Sequence, residues 1–375
     1  MKNFISGTVI NQGYYKSFIP NTINRDWEIN EMEVVSLLSR ADRLLGQLDM
    51  YSNYVNIDLY LRMHITKEAT QSSRIEGTQT NMEEAFMTKE AIAKDKRDDW
   101  EELQNYIKAM NEAIDDLQKL PFSSRLICRA HKTLLQGVRG KHKLPGEFRT
   151  SQNWIGGATI NDARFIPPPH TEVPALINDL EKFANNEKNV LPELLKIALI
   201  HYQFETIHPF LDGNGRIGRL LITLYLVNKD LLKRPILYLS DFFERHRDLY
   251  YDNLTLVRTK NDINHWFKFF LTGVIQTANK GIKTFDDILQ LQKTLGENVN
   301  TLGSRAADAN KVIEKLYQNP IINVSIVERI IEKSIVSSYK LIADFVNLGI
   351  LKEITGTQRN KLYSFEPYIN LFNKI

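Results

Sequence analysis

The stretch His208-Pro-Phe-Leu-Asp-Gly-Asn-Gly-Arg-Ile-Gly-Arg219 places a histidine, a carboxylate, three glycines and two arginines within twelve residues. Gly213-Asn214-Gly215 allows positive φ and a close approach of the backbone to a ligand. Successive N–H groups in such a turn, at the start of a helix, form a site for anions. Arg216 and Arg219 lie three residues apart on the predicted helix, so both can face one polyphosphate. The stretch therefore predicts a site for nucleotide phosphates.

Two further side chains of this stretch predict chemistry at the same place. Asp212 stands where a divalent ion that bridges phosphates needs an oxygen ligand. His208 can act as a proton acceptor on the far side of the loop. A tight turn would explain Asp-Gly-Asn-Gly alone, but it would not explain the surrounding histidine and arginines. A standard P-loop has a lysine followed by serine or threonine, which this stretch lacks, so the phosphate cradle is of another type.

A metal site built on histidines is the alternative that the spacing excludes. His201 and His208 are seven residues apart, which is about 10.5 Å of rise along a helix and too far for one zinc ion. His201 and Glu205 are one turn apart, but no third ligand follows nearby. We therefore interpret His201 as a structural histidine.

Composition places the chain among ordinary globular proteins and excludes several other classes. Its 375 residues suffice for two or three domains, and its net charge of +3 is too small to indicate nucleic acid or membrane by itself. One cysteine, Cys128, excludes an intrachain disulfide and favours a reducing compartment. The sequence has neither a signal-peptide pattern nor an apolar run of the ~20 residues that span a bilayer. We expect a cytoplasmic protein with no membrane partner.

Helical periodicity dominates the residues before the stretch. It predicts helices at about 27–48 and 56–69, with no regular element in residues 1–25. A short helical run follows at Ser72–Gly77, in which Gly77 has the character of a C-cap. Glu76 would then lie in the last turn, where its charge opposes the helix dipole and calls for a cationic partner. The alternative is an exposed glutamate without a role.

Two segments depart from the helical pattern. Residues 152–166, with Gly156-Gly157 at their centre, predict a short β-hairpin that Pro167-Pro-Pro169 ends. A lone hairpin is marginal unless it packs on something or binds something, although a surface excursion is the alternative. Near the C-terminus, helices at about 308–318, 324–333 and 337–348 precede two strands at 350–354 and 361–365. That order is typical of a winged helix.

At this point the residues carry a resemblance, because the stretch 208–219 resembles the signature of Fic-domain protein adenylyltransferases (AMPylators) without a departure. The resemblance extends over most of the chain and implies a mainly α fold. It implies a helical N-terminal region at 1–100 and a Fic-type helical core at 101–280, with a β-hairpin flap at about 151–167. A winged-helix domain at 290–375 would follow.

The resemblance also implies roles for individual residues. His208 would be the general base that deprotonates a target hydroxyl, and Asp212 the Mg²⁺ ligand. Tyr251 and Leu254 would form a wall for adenine, and the flap would align a target protein as an added strand. The ATP phosphates and their surroundings would involve Gly213, Asn214, Gly215, Arg216, Ile217, Gly218 and Arg219.

Ser72-x-x-x-Glu76-Gly77 resembles the inhibitory helix of Fic proteins that are regulated from their own N-terminal region. The resemblance implies that Glu76 pairs with Arg219. Arg219 could then no longer hold the γ-phosphate, so ATP would bind with its α-phosphorus turned away from in-line attack. Inhibition of this kind acts on geometry more than on affinity.

The predicted function is transfer of AMP from Mg²⁺-bound ATP to a Ser, Thr or Tyr hydroxyl of a protein, including the enzyme itself. One alternative is removal of AMP, with Glu76 positioning a water molecule. Another is a winged-helix DNA regulator with a nucleotide-sensing Fic core. The third helix of the winged helix begins Ser337-Ser-Tyr-Lys340 and carries Asp344, so it is not strongly basic. The basic residues of the wing are Arg359 and Lys361, beside Asn360. DNA is therefore not the favoured partner, and a homodimer remains open.

Overall fold

The computed structural model describes residues 4–54, 56–137, 140, 142–356 and 360–373. The mainly α prediction is confirmed, because helices make up most of these residues and the strands are short. The α-helices of the described residues are α1 (Met32–Tyr54), α2 (Asp58–Ile75), α3 (Arg97–Asp116), α4 (Ser124–Leu134), α5 (Val173–Ala184), α6 (Glu193–Ile207), α7 (Asn214–Asn228), α8 (Ser240–Arg245), α9 (Arg247–Lys260), α10 (Ile263–Asn300), α11 (Ala306–Gln318), α12 (Val324–Ile331), α13 (Ile335–Asn347) and α14 (Glu366–Asn373).

The strands form two small antiparallel sheets. The first is a hairpin of β1 (Gly7–Asn11) and β2 (Lys16–Pro20). The second contains β3 (Ile321–Ile322), β4 (Lys352–Glu353) and β5 (Tyr363–Ser364) in the order β3-β5-β4. In the part of the chain that the structure describes, no helix has both the length and the apolar character to cross a membrane.

The helix pair α6 and α7 lies at the centre of the fold. Residues 194–207 of α6 are all buried, and so are residues 216–226 of α7. Both helices are buried nearly all round, as helices enclosed by other helices are. The indole N–H of Trp266 on α10 donates to the carbonyl of Ala198, which ties the long helix to α6. The end of α6 and the start of α7 meet at residues 208–213, where the site lies.

Helix α2 is longer than the sequence pattern predicted. The helix expected at 56–69 and the separate run at Ser72–Gly77 form one helix that ends at Ile75. Ser72 and Ser73 are buried in α2 although both are polar. The helical period of apolar residues therefore cannot be recognised in this part of the sequence. The end is a Schellman motif, in which the N–H groups of Gly77 and Thr78 donate to Arg74 and Ser73 carbonyls. Gly77 has φ of +101°, as the motif requires.

The expectation of no regular element in residues 1–25 is wrong. Hairpin β1–β2 forms there because it gains partners from the rest of the fold. The N–H of Phe18 donates to the carbonyl of Ile166 at 3.0 Å, and the side chain of Phe18 is buried beside the ring of Phe165. A local pattern could not show this pairing across about 150 residues.

The predicted hairpin at 152–166 is reduced to a single bridged pair. Ile155 exchanges backbone hydrogen bonds with Phe165, at 2.8 and 3.2 Å. Gly156 and Gly157 follow at φ of +69° and +79°, which ends extended backbone at once. Residues 151–167 are called the flap below.

The long helix α10 connects the core to the C-terminal helices, which the sequence pattern did not show. Helix α10 runs without interruption from Ile263 to Asn300, through the boundary expected between 280 and 290. Helices α11, α12 and α13 follow close to the predicted positions, and α14 is an additional helix after the last strand. Helices α8 and α9 follow each other directly and meet at His246.

Two glycines predict opposite effects of the same substitution on stability. Gly77 and Gly296 both have open space where a Cβ would stand, but Gly77 has positive φ whereas Gly296 lies inside α10. We expect Gly77→Ala to lower the free energy of unfolding by about 1 kcal/mol because of backbone strain. Gly296→Ala should raise it by about 0.5–1 kcal/mol. Thermal unfolding of both variants checks this, and a change of the same sign in both would contradict it.

Candidate active site

The loop that joins α6 to α7 is built from unusual backbone conformations. His208 ends α6 in the left-handed region, with φ of 50° and ψ of 61°, and Gly213 precedes α7 with φ of 74°. The amide of Asn214 closes the loop, because it accepts from the N–H of Phe210 and donates to the carbonyl of Phe210, both at 2.8 Å. The first N–H groups of α7 therefore face the space above the loop with no intrahelical acceptor.

Arg149 fixes this loop to the flap. Its guanidinium donates to the carbonyls of His208 at 3.0 Å, Ser151 at 3.1 Å and Pro168 at 2.5 Å. The amide of Asn153 also donates to the carbonyl of His208, at 3.1 Å. The side chain of Arg149 is buried, and burial lowers its pKa to about 10. The strained backbone of His208 is thus held by two donors from the flap region.

His131 supports the loop from the opposite side. Its Nδ1 accepts from the N–H of Gly146, so Nε2 carries the hydrogen and donates to the carbonyl of Asp212 at 3.0 Å. The ring stacks on Phe210 with centroids 3.7 Å apart. Burial lowers the pKa of His131 to about 4, which keeps the ring neutral.

The sequence analysis missed both Arg149 and His131 because their partners are distant in the chain. One signal was present for His131, which is a polar residue on the buried face of the amphipathic helix α4. No comparable signal marks Arg149, which follows a loop of glycine, lysine and proline.

Asp212 and Arg216 lie together at the rim of the loop. The carboxylate Oδ1 of Asp212 accepts from the N–H of Gly213 at 2.6 Å, and Nη2 of Arg216 lies 3.6 Å from the same oxygen. Nη1 of Arg216 lies 3.5 Å from Glu102 on α3. The Asp212 side chain is 46% exposed, so its carboxylate remains open to solvent.

The glutamate at the end of α2 meets the last arginine of the stretch. Oε1 of Glu76 accepts from Nη2 of Arg219 at 2.7 Å. Ser72 adds two contacts, because its hydroxyl accepts from Nε of Arg219 at 2.9 Å and its carbonyl from Nη2 at 3.0 Å. The Ser72 hydroxyl also donates to Tyr106, whose own hydroxyl donates to the carbonyl of Arg216. Helices α2, α3 and α7 are joined by this network.

Charges in this network set the protonation of its members. Burial acts to raise the pKa of Glu76, but the charge of Arg219 and its hydrogen bond outweigh it, so the pKa lies below the ordinary value. Burial acts to lower the pKa of Arg219, and the Glu76 charge reverses that effect. Both groups are therefore ionised at neutral pH.

Glycine is required at Gly215 in this arrangement. A Cβ at that position would overlap Oε1 of Glu76 and crowd Nη1 of Arg219. The Glu76 carboxylate consequently lies directly over the first turn of α7, where the helix offers N–H groups to an anion.

His208 is neutral in this structure. Burial lowers its pKa to about 4, although the Glu76 charge acts in the opposite direction. Its Nδ1 is buried and has no hydrogen-bond partner among the described residues. A neutral imidazole with an unused nitrogen is a proton acceptor.

Glu205, one turn before His208, was not assigned a function from the sequence. Its carboxylate packs against Gly218, where a Cβ would overlap Oε1. Burial raises the pKa of Glu205 to about 7, with the charge of Arg219 opposing the rise. Gly218 and Ile217 are both buried in α7 and offer the site no polar side chain.

The remaining predicted residues take less direct positions. Tyr251 and Leu254 lie on α9, the first 37% exposed and the second buried. Burial raises the pKa of Tyr251, and the charge of Glu76 adds to the rise. His201 lies between the carbonyl of Gly218 and the hydroxyl of Tyr250, each 2.9 Å away, which is the arrangement of a structural histidine.

The flap is covered on one of its two edges. The ring of Phe165 lies 3.8 Å below the guanidinium of Arg258, and Ile166 pairs with Phe18. Ile155 directs both backbone groups towards Phe165. Since alternate residues of extended backbone point to opposite sides, Trp154 directs its backbone groups outward. The Trp154 side chain is 40% exposed.

Residues 121–226 match the Fic/DOC family, and residues 35–115 match the N-terminal region of the Fic/DOC family. The resemblance of the 208–219 stretch to the Fic signature is thereby confirmed. The first match includes α4 to α6, the flap and most of α7, and the second includes α2 with Ser72, Glu76 and Gly77.

The chain also resembles curated protein adenylyltransferases. It is 30% identical over 210 residues to a probable protein adenylyltransferase of Aquifex aeolicus, covering 51% of this chain and 61% of the relative. It is 34% identical over 165 residues to a protein adenylyltransferase Fic of Aedes aegypti, covering 42% of this chain and 30% of the relative. The chain thus spans less than two thirds of the length of these relatives.

Solved structures share the fold. A Fic family protein from Desulfovibrio desulfuricans G20 matches with a TM-score of 0.57 at 19% identity, over 91% of this chain and 98% of that one. A Fic domain containing signaling protein from Bacteroides thetaiotaomicron matches with a TM-score of 0.53 at 21% identity, over 67% of this chain and 96% of that one.

Arg149 predicts a measurable link between the loop and the flap. Lysine cannot reproduce the planar fork of donors, so Arg149→Lys should leave buried carbonyls without partners. We expect the free energy of unfolding to fall by about 2 kcal/mol and the amides of residues 152–166 to exchange at least about tenfold faster. Hydrogen exchange with mass spectrometry measures the flap. Arg164→Lys, on the exposed side of the flap, is the control, and equal effects in both variants would contradict the assignment.

The lowered pKa of Glu76 predicts a pH dependence of stability. Its ordinary pKa is 4.5 and the folded value is lower, so the stabilisation is complete above pH 4.5. It is lost as the pH falls through the folded pKa. The difference in unfolding temperature between the wild type and Glu76→Gln should stay constant from pH 7 to about 5 and narrow below 4.5. A difference that widens on acidification would contradict the ion pair.

Proposed function

We propose that this Fic-domain chain is a protein adenylyltransferase that transfers AMP from ATP to a hydroxyl of a protein and is held inactive by Glu76. The observation that carries the proposal is the junction of α6 and α7. There a neutral histidine, an open carboxylate and a helix N-terminus converge on one space. The names of the relatives agree with this chemistry.

The nucleotide phosphates would lie over the start of α7. Gly213, Asn214 and Gly215 offer backbone N–H groups there, and Arg216 stands at the rim. Arg219 would hold the γ-phosphate when it is released from Glu76. Tyr251 would face adenine, with Leu254 behind it in the core.

Asp212 fits the single carboxylate that Mg²⁺ takes when substrate phosphates provide further ligands. Its side chain is open to solvent, and among the described residues Gly213 and Arg216 contact its Oδ1. Bound there with the nucleotide, the ion would neutralise charge on the phosphates. The N–H of Gly213 orients the carboxylate of Asp212, and His131 holds the backbone carbonyl of the same residue.

His208 would accept the proton of the target hydroxyl. As that oxygen forms its bond to the α-phosphorus, the bond to the bridging oxygen breaks and pyrophosphate leaves. The N–H groups of α7 and the arginines would stabilise the charge that develops on the phosphates. The lowered pKa of His208 supports this role, because the ring is unprotonated and ready to accept.

The flap supports a docking edge for the target. Its Phe165–Ile166 side is occupied by Phe18 and Arg258, so an added strand would pair along residues 152–155, beside Trp154. Main-chain pairing at this edge would bring the target hydroxyl towards His208, because Arg149 and Asn153 tie the flap to that residue.

Autoinhibition is supported by what Glu76 occupies. Its carboxylate accepts from Arg219 and lies over Gly215. The terminal phosphate of the nucleotide would occupy the same space. A nucleotide bound beside it would keep its polyphosphate away from the in-line position, and reaction would be slow without loss of binding.

The C-terminal region supports a winged helix that recruits protein. Helices α11, α12 and α13 with sheet β3-β5-β4 have the expected order. The start of α13 exposes Ile335, Val336 and Tyr339, an apolar surface suited to a protein partner or a second copy of the chain. Arg359 of the expected wing lies outside the described residues. We also propose a cytoplasmic location, on the single cysteine.

Removal of AMP is the second candidate, and one observation favours it. The Glu76 carboxylate lies beside the space proposed for the nucleotide phosphates. Its side chain is 37% exposed, so a water molecule can reach it. Release of label from an AMP-modified target by the wild type, but not by Glu76→Gln, would identify this reaction.

The proposed function predicts a specific labelling pattern. With ATP labelled at the α-phosphate, Glu76→Gly should label protein strongly, the wild type weakly, and neither should transfer label from the γ-phosphate. Glu76→Gly with His208→Ala should lose about 10²–10⁴-fold of the rate, because the base is absent. His265→Ala, an exposed histidine, is the matched control.

Three outcomes would contradict parts of the proposal. Transfer from the γ-phosphate would identify a kinase, and equal labelling by the wild type and Glu76→Gly would remove autoinhibition. Undiminished labelling by the His208→Ala chain would remove the base. DNA binding is tested separately, because absence of a gel shift at low salt excludes the DNA regulator.

A further inference from the structure

A cavity of about 680 Å³ lies behind the inhibitory helix, on the side of α2 that faces away from Arg219. It is lined from α2, α8, α10 and α14, and it is separate from the nucleotide site. Four of its lining residues are cationic: Lys67, Arg74, Arg245 and Lys280. None of them belongs to the 208–219 stretch or to the flap.

The four cations of this cavity do not each have a carboxylate partner. Asp241 pairs with both Arg245 and Lys280, each at 3.1 Å, so one carboxylate serves two cations. Among the residues that the structure describes, no carboxylate lies within ion-pair distance of the Lys67 ammonium. Arg74 likewise forms no ion pair within that part of the chain.

Lys67 is placed against other positive charges. Burial lowers its pKa to about 8; the Asp241 charge opposes the decrease, while Lys280 and Arg245 add to it. Lys67 and Lys280 line the same cavity, and each ammonium has only donors to offer. Like charges that share one cavity repel each other, and Asp241 is the carboxylate that Lys280 and Arg245 already share.

Other lining groups limit the charge of the ligand without cancelling this imbalance. Glu83 and Glu244 also line the cavity, so the ligand must place its anionic part near Lys67 and its neutral part elsewhere. Thr70, Gln71 and Asn81 line it as well, and the side-chain oxygen of Gln71 is buried without a partner among the described atoms. Such a lining accommodates a polar molecule.

We propose that this cavity binds a small molecule carrying a phosphate-like dianion, and that the bound anion clamps α2 in the position from which Glu76 reaches Arg219. Lys67 and Arg74 lie on α2, whereas Arg245 and Lys280 lie on α8 and α10. Without a ligand, the cations on the two sides of the cavity repel each other. An anion bound between them attracts both sides and so draws α2 towards α8 and α10. The site stands on its own geometry; the regulatory consequence rests on the proposed function.

The clamp follows from the rigidity of α2. The helix carries Lys67 and Arg74 on its cavity side and Ser72 and Glu76 on the Arg219 side. A loss of attraction at the cavity side frees the whole end of the helix to move, because its residues are joined by one hydrogen-bonded ladder. The ligand concentration would then set how long Arg219 remains occupied.

The site is tested with inorganic pyrophosphate as the probe, in isothermal titration calorimetry with a metal chelator present. The wild type, Lys67→Met and Lys283→Met are compared, because Lys283 is an exposed lysine one turn beyond Lys280 on the same helix. Binding at the nucleotide site is common to all three chains. We expect Lys67→Met to lose one binding event or to bind it at least tenfold more weakly, and Lys283→Met to match the wild type.

Thermal unfolding of Lys67→Met excludes misfolding as the cause of that loss, and we expect an unfolding temperature that is unchanged or higher because burial and the charges of Lys280 and Arg245 disfavour the Lys67 charge. Superimposable isotherms for the wild type and Lys67→Met would overturn the site. Equal loss in Lys283→Met would show a general charge effect and would also overturn it.

The clamp is tested by labelling from α-labelled ATP without added pyrophosphate. Removing the repulsion should seat α2 more firmly, so Lys67→Met should label two- to fivefold less than the wild type. In the Glu76→Gly background the same substitution should change nothing, and an equal decrease there would overturn the clamp. If Glu76→Gly transfers no label at all, the proposed function fails, whereas the calorimetry still decides the site.

Discussion

A guanidinium enclosed in a helical core needs both a counter-charge and hydrogen-bond acceptors, and Arg219 receives them from the N-terminal region. Its side chain is 1% exposed, and Ser72 and Glu76 supply its contacts. Because α7 lies at the centre of the fold, this pairing fixes where α2 ends and what covers the first turn of α7. The last arginine of the 208–219 stretch is thus also the side chain that anchors the N-terminal region. Any event that moves α2 therefore acts on the chemistry of the site.

The loop before α7 meets the same requirement by different means. His208 takes a left-handed conformation that a non-glycine residue rarely adopts, and its carbonyl is held by Arg149 and Asn153. His131 holds the carbonyl of Asp212 from the other side. With the carbonyls satisfied within the protein, the N–H groups at the start of α7 are left for a ligand. The flap shares these supports, so His208 and residues 152–155 are positioned together.

The sequence predicted the parts of this site whose chemistry is local. Glycines at a tight turn, a helix that starts after them and arginines one turn apart are all properties of a short segment. Arg149 and His131 lie 59 and 81 residues from the carbonyls that they hold, and periodicity marks such residues as buried without naming a partner. The N-terminal hairpin was not predicted for the same reason, because Phe18 pairs with Ile166, which is distant in the sequence. The flap was overestimated because positive φ at Gly156 and Gly157 ends its strands after one pair.

The sequence by itself determined the helical class of the chain, the glycine turn that precedes a helix within residues 208–219 and the C-cap that places Glu76 at the end of a helix. Each of these depends on φ, ψ and side-chain chemistry over a few neighbouring residues. Only the tertiary structure decided that Glu76 lies over Gly215, that one edge of the flap is covered, and that Lys67 lines a cavity with Lys280 while no carboxylate of the described residues lies within ion-pair distance of it. These depend on how helices pack, and packing is settled by the burial of apolar faces over the whole chain.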